Sequence, residues 1–168
     1  MTRPDNISRV EHRMERTYEV AATPEQVWDA IATADGITAW MVPTQLDPQV
    51  GGEVSFDLGG LKSTGVVTGY SPNQRFAYEE PWPMPSECDE QWVADHGPIT
   101  DQDLSSVTPI ATEFLIESAS GGSCVLRVVS SAYGTGADWE NEFFAEMVAG
   151  WGAILDNLAK HLIETTKR

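Results

Sequence analysis

From Asp138 to Thr165, apolar residues recur every three or four positions: Trp139, Phe143, Met147, Trp151, Ile154, Leu158 and Leu162. That is the period of one face of an α-helix, and it predicts a single long amphipathic helix. At about 1.5 Å of rise per residue the helix would be roughly 40 Å long, enough to cross a domain. Gly150 and Gly152 lie inside it, each at a cost of about 1 kcal/mol against alanine. Close packing or a bend against the neighbouring layer would explain them, as would space left for a ligand.

Upstream the period falls to two. In His12–Val20, the residues Met14, Arg16, Tyr18 and Val20 share one face, and Arg13, Glu15, Thr17 and Glu19 share the other. This is the pattern of a strand with one wet side. Thr23-Pro24-Glu25-Gln26 then reads as a helix start, with Thr23 as N-cap, Pro24 at the first position and Gln26 closing a capping box. Val27, Trp28, Ile31 and Ala32 form its buried stripe. Ile37–Met41 reads as a second short helical turn, stopped by Pro43.

A run of strands follows. Val54, Phe56 and Leu58 alternate with Glu53, Ser55 and Asp57 after Gly51-Gly52, up to a Gly59-Gly60 turn. Ser63–Tyr70 and Arg75–Glu79 flank a turn at Ser71-Pro72-Asn73. Ile110–Glu117 and Ser123–Ser131 flank Gly121-Gly122. The order β, α, α, many β, long α predicts an α+β architecture with an antiparallel sheet. The expected organisation is one domain over residues 10–165 behind a flexible tail, 1–9. Pro81–Pro109 breaks the pattern: it is rich in proline, carries seven acidic residues from Glu80 to Asp103, and holds Trp82 and Trp92. A loop of that length in a compact domain is functional or disordered, and its two tryptophans suggest a lid or rim.

A chain of 168 residues with 41% hydrophobic content supports a substantial core. No apolar run is long enough to span a bilayer, and Met1–Arg16 is too polar for a signal peptide, so a cytoplasmic location is expected. The net charge is −16, with no Lys or Arg between Arg16 and Lys62 or between Arg75 and Arg127. Such a surface argues against nucleic acid and against anionic membranes. It serves solubility, or it meets a basic protein partner. Cys88 and Cys124 lack metal-like spacing and read as free thiols.

Candidate chemistry is sparse. His12, His96 and His161 fall in no metal-binding spacing, and no nucleophile elbow or phosphate loop is present. No catalytic residue, metal or cofactor is expected. Arg16 shares the phase of Tyr18 and Val20, which makes it either a residue of the wet rim or a polar anchor for a ligand carboxylate or phenolate. Phe56, Tyr70, Tyr78, Phe114 and Trp151 fall on inward phases.

Ala22-Thr23-Pro24-Glu25-Gln26-Val27-Trp28-Asp29-Ala30-Ile31, followed by Trp40-Met41-Val42-Pro43, resembles the N-terminal signature of the activator of heat-shock protein 90 ATPase homologue family. Val50–Phe56, Gly65-Val66-Val67, Arg75-Phe76-Ala77-Tyr78 and Gly150-Trp151 with Leu155, Leu158 and Leu162 are similar to its later motifs. The likeness runs from about Glu15 to His161, apart from the insertion. It implies the START-like helix-grip fold: a curved antiparallel sheet wrapped around a long C-terminal helix, with an apolar cavity between them. Members of that superfamily bind lipids and other hydrophobic molecules, and some cyclise polyketides.

The expected function is therefore binding of a small or medium hydrophobic molecule. The expected cavity walls are Phe56, Tyr70, Tyr78, Phe114, Met147 and Trp151, with Trp40, Met41 and Trp82 at the entrance and Arg16 as the possible anchor. Two alternatives stand beside it. One is a cavity enzyme of the polyketide cyclase or hydrolase kind, which needs inward acid–base groups. The other is an interaction protein, co-chaperone-like or a regulator's partner, as monomer or homodimer.

Overall fold

The computed structural model describes residues 9–57, 62–82, 94 and 100–166. Residues 1–8, the Gly59-Gly60 turn, Cys88, Trp92 and His96 lie outside the described residues. The strands are β1 (Val10–Val20), β2 (Thr44–Leu46), β3 (Glu53–Asp57), β4 (Lys62–Ser71), β5 (Arg75–Glu80), β6 (Ile110–Ser118) and β7 (Cys124–Gly134). The helices are α1 (Pro24–Ile31), α2 (Ala34–Trp40), α3 (Asp101–Ser105) and α4 (Asp138–Thr166). The strands form one antiparallel sheet in the order β1-β7-β6-β5-β4-β3-β2. The sheet is curved, and its concave face is covered by α1, α2 and α4. This is the helix-grip arrangement.

Local chemistry explains most boundaries. Thr23 Oγ1 accepts from Gln26 N at 3.2 Å and Gln26 Oε1 accepts from Thr23 N at 2.9 Å, a complete capping box with Pro24 behind it. The second helix starts earlier than its hydrophobic pattern predicts, at Ala34, because Thr33 caps it by accepting from Gly36 N at 3.0 Å. Gly36 does not stop a helix here. It lets α1 and α2 approach: a Cβ there would lie 1.9 Å from Asp29 O. The pattern also missed β2, which has three residues. Bonds from Asp57 N to Pro43 O and from Asp47 N to Glu53 O, each 2.9 Å, pin its ends to β3.

One irregularity places a key aromatic. The β4–β5 register shifts between Val67 and Gly69, so Val67 pairs with Tyr78 and Tyr70 pairs with Phe76. Without that bulge, Tyr70 and Val67, three residues apart, would face opposite sides. With it, both face the concave side, and Tyr70 meets Trp28 of α1 edge-on at 5.0 Å between ring centroids.

Helix α4 touches β1, α1 and α2. Its buried apolar residues are Phe144, Trp151, Leu155, Leu158 and Leu162, while Trp139, Phe143, Met147 and Ile154 are half-buried. The contact stripe is thus rotated slightly from the one the sequence predicts. Each such side chain contributes about 1.5–3 kcal/mol on full burial. Gly150 is exposed and Gly152 half-buried, and a Cβ on either would meet no atom within 4 Å. Close packing therefore does not explain them. Gly150→Ala should stabilise the chain by about 1 kcal/mol, raising the Tm by roughly 2–4 °C. A calorimetric Tm that stays level or falls would show that the glycine is needed in this state.

Candidate functional site

Three strands, β5, β6 and β7, set much of the concave face in rows. Phe76 pairs with Phe114, which pairs with Val128; Tyr78 pairs with Thr112, which pairs with Ser130; Glu80 pairs with Ile110. The first row is aromatic and dense. Phe56 meets Tyr78 at 5.4 Å, Phe76 meets Tyr78 at 5.7 Å, and Phe76 meets Phe114 at 6.3 Å. Trp40 and Trp151 approach Phe114 at 6.4 and 6.3 Å. These are contact separations for offset or edge-to-face rings. The middle of the layer is therefore occupied by its own side chains, and a guest there has to displace them.

Most residues singled out from sequence do gather here. Phe56, Tyr78, Phe114 and Trp151 are buried in one cluster, with Tyr70, Met41 and Met147 half-buried against it. Trp40, expected at the entrance, is 4% exposed and donates its indole N–H to Ala30 O at 2.8 Å. A tryptophan whose polar edge is satisfied inside can sit in the core. Trp82 is buried too. Its N–H donates to Thr108 O at 2.7 Å and its ring packs on Trp139 and Phe143 at 5.3 and 5.4 Å, fastening the start of the insertion to α4. Arg16 stays apart from the cluster. It is exposed at the edge of the sheet and donates to Glu15 O at 3.0 Å. A solvated guanidinium on an edge strand has no reason to turn inward.

Sequence reasoning missed the polar groups of the same face. Thr112 Oγ1 and Ser130 Oγ are buried and 3.0 Å apart. Burial pushes the Tyr78 hydroxyl well above its ordinary acidity range; Glu80 adds to this and Thr112 partly offsets it. One step along β5, burial likewise raises the Glu80 carboxyl, against the hydrogen bond donated by Ser63 Oγ. The alternation Phe76, Tyr78, Glu80 was the available signal, since it places Glu80 on the inward phase.

A second buried carboxylate has a different character. Glu140, in the first turn of α4, accepts from Thr135 Oγ1 at 2.6 Å, from Thr135 N and Gly136 N at 3.1 Å each, and from His12 Nε2 at 2.9 Å. Gly134 leaves room for it: a Cβ there would sit 2.1 Å from Glu140 Oε1. Burial alone would raise this carboxyl, but the Thr135, His12 and Gly136 hydrogen bonds outweigh burial and hold it below its ordinary value. The ionised carboxylate can only accept, so His12 Nε2 carries the proton. The latch ties β1 to the start of α4. Glu140 shares the helix phase of Phe144, Trp151 and Leu155, which was its trace in the sequence.

Two grooves open on the surface away from the aromatic layer. One, of about 450 Å³, lies at the β2–β3 edge between Thr38, Gln45, Ser55, Asp57 and Lys62. Ser55 Oγ is buried beside it without a hydrogen-bond partner. The other, of about 290 Å³, lies between Ser105, Thr108, Tyr133 and Thr135. Most of the residues that line each are polar or charged, and neither borders the aromatic cluster. Among the described residues, no three His, Cys, Asp or Glu side chains gather as a metal site, and no helix is long and apolar enough to cross a membrane.

A curved antiparallel sheet closed on a long C-terminal helix, with an aromatic layer between them, defines a START-like helix-grip protein. The chain belongs to the Activator of Hsp90 ATPase homolog 1-like family, whose model matches residues 21–163. The solved structure of MLL2253 from Mesorhizobium loti is similar at a TM-score of 0.67, with 15% identity over 92% of this chain and 98% of that one. The Aha1 dimer from Colwellia psychrerythraea is similar at 0.63, with 19% identity over 89% and 95%. Thalictrum flavum norcoclaurine synthase, a point mutant in complex with a transition state analogue, is similar at 0.59, with 13% identity over 95% and 99%. These likenesses establish the fold. No curated protein matches.

The Glu140 latch makes a pH prediction. Its carboxyl has a depressed folded value, so its contribution is full above the unfolded value of about 4.3 and is lost as pH falls through the folded value. Glu140→Gln should flatten the acid limb of the stability curve, and Glu140→Ala should cost about 3–5 kcal/mol at neutral pH. Denaturant titrations between about pH 7 and pH 3 measure both; parallel acid limbs for wild type and Glu140→Gln would contradict the assignment.

Proposed function

We propose that this chain binds a small or medium-sized hydrophobic molecule between the concave face of the sheet and α4. Phe56, Tyr70, Tyr78, Phe114, Met147 and Trp151 serve as walls, and Trp40, Met41 and Trp82 bound the same layer. The guest gains entry by displacing side chains, chiefly the half-buried Met147 and Met41, whose unbranched chains repack at small cost. The observation that carries the reading is the set of polar groups inside an apolar layer: Tyr78, Thr112 and Ser130 in one row and Glu80 in the next. A core that served stability alone has no use for a half-buried carboxylate with a raised pKa. An apolar pocket with a few convergent polar groups is the usual composition of a small-molecule site. The similar norcoclaurine synthase structure, solved with a transition state analogue, supports the capacity of this fold to hold an organic guest.

An inward ionisable pair in hydrogen-bond contact would raise the enzymatic reading. Tyr78 and Glu80 feel each other's charge, but the hydrogen bonds they make are to Thr112 and Ser63. Binding without chemistry is therefore the better reading. For an interaction protein, the large exposed apolar residues Val10, Val50, Val66, Tyr133 and Ile163 are spread over β1, the loop before β3, β4, β7 and α4. The dimer of the Colwellia protein supports testing the oligomeric state.

Native mass spectrometry of freshly purified protein should reveal a one-to-one complex with an apolar compound, or a chain that takes up one neutral hydrophobic probe saturably. An empty chain that takes up none would end the proposal.

A further inference from the structure

The inference deepens the reading above and rests on it. Among the described residues, Glu80 is the carboxylate that the sheet turns to the concave side, and the one inward histidine, His12, is engaged by Glu140. Glu80 projects from the end of β5 on the same side as Phe76 and Tyr78. Its chain lies over Gly65, where an added Cβ would come within 3.1 Å of Glu80 Cγ. Its hydrogen bond comes from the neutral Ser63 hydroxyl. Among the described residues, no Lys, Arg or His forms an ion pair with it. The sheet's cations are directed elsewhere: Arg13, Lys62, Arg75 and Arg127 take the outward phase, opposite Met14, Ser63, Phe76 and Leu126, and Arg16 is exposed at the edge.

A desolvated carboxylate normally recovers its lost hydration from several donors or from a cation. Glu140 in this same chain shows the first solution, with four donors from Thr135, Gly136 and His12. Glu80 has one. It is also half-buried rather than sealed, so a molecule in the layer can reach it. The Glu80 charge is felt at Tyr78, whose ring packs on Phe56, and the face of such a ring favours a cation over an anion.

We propose that Glu80 is the polar anchor of the site and that the guest is a hydrophobic amine, its ammonium group seated between the Glu80 carboxylate and the ring of Tyr78. Ser63 holds the carboxylate in position, and the aromatic layer takes the apolar body. The chain's net charge of −16 favours the approach of such a cation from solution and repels a carboxylate of equal size. No reaction is involved. The ammonium proton is shared in a charge-assisted hydrogen bond, and no covalent bond changes.

Three isosteric probes test this: 1-naphthylmethylamine, 1-naphthalenemethanol and 1-naphthoate, titrated by calorimetry. The amine should bind about tenfold more tightly than the alcohol, the scale of one charge-assisted hydrogen bond, and the carboxylate should bind most weakly. Glu80→Gln should bring the Kd values of amine and alcohol together, chiefly by weakening the amine. That variant removes one of 26 acidic residues, so a preference due only to overall charge would survive it. The wild-type chain supplies an independent readout. Burial raises the Glu80 carboxyl, so on acidification amine affinity should fall at a higher pH than for an ordinary carboxylate, and by more than alcohol affinity. Equal binding of amine and alcohol, or a preference unchanged in Glu80→Gln and at low pH, overturns the anchor and leaves the hydrophobic site standing. Failure of all three probes to bind overturns both.

Discussion

Burial of the α4 stripe against the concave sheet is the contact on which the rest depends. A helix of this length carrying Phe144, Trp151, Leu155, Leu158 and Leu162 on one side cannot leave that side in water. Isolated helices are marginal, and packing on a partner surface is what holds them. The sheet supplies that surface through Met14, Phe76, Phe114, Leu126 and Val128, with α1 and α2 closing the remaining width through Trp28, Ile31 and Trp40. Once α4 is seated, the aromatic layer has two walls, and every inward group of β4 to β7 lies in an enclosed, weakly polar medium. The altered acidities of Tyr78 and Glu80 follow from that enclosure.

The two buried carboxylates show how the same medium separates structure from function. Glu140 is surrounded by donors from the loop before α4 and from β1, and it is ionised and satisfied. Such a group fixes geometry: it sets where α4 leaves β7 and how β1 meets it. Glu80 is one of the inward groups of a pleated strand with a single hydroxyl for company. Nothing in the fold requires a carboxylate there, because β5 would pair with β4 and β6 through its backbone whatever the side chain. A buried carboxylate that the strand pairing does not need is where a binding role is sought.

Much of this was legible in the sequence. The Thr23 box, the alternation of β3 to β7 and the long helix follow from local chemistry and period, and local signals survive folding when packing agrees with them. The failures were also physical. The start of α2 was hidden because Gly36, a residue that usually ends helices, is there to let two helices touch. The strand β2 is too short to show alternation. Trp40 and Trp82 were placed at an entrance because tryptophan is large and half-polar, yet each finds a backbone carbonyl for its N–H and so goes under cover. The His12–Glu140 latch joins residues 128 apart, and no local pattern carries a pairing of that separation. Of the two readings open for Arg16, the wet rim is the one found, since an edge strand leaves even its inward side open to solvent.

The account's central claim is that an organic guest enters the aromatic layer rather than the polar grooves outside. Intermolecular nuclear Overhauser effects from bound 1-naphthalenemethanol locate it directly. Contacts with the Met147 methyl, the Trp151 indole and the ring of Phe114 are the predicted result. Contacts confined to Thr38, Gln45 and Lys62, with the aromatic layer undisturbed, would contradict it.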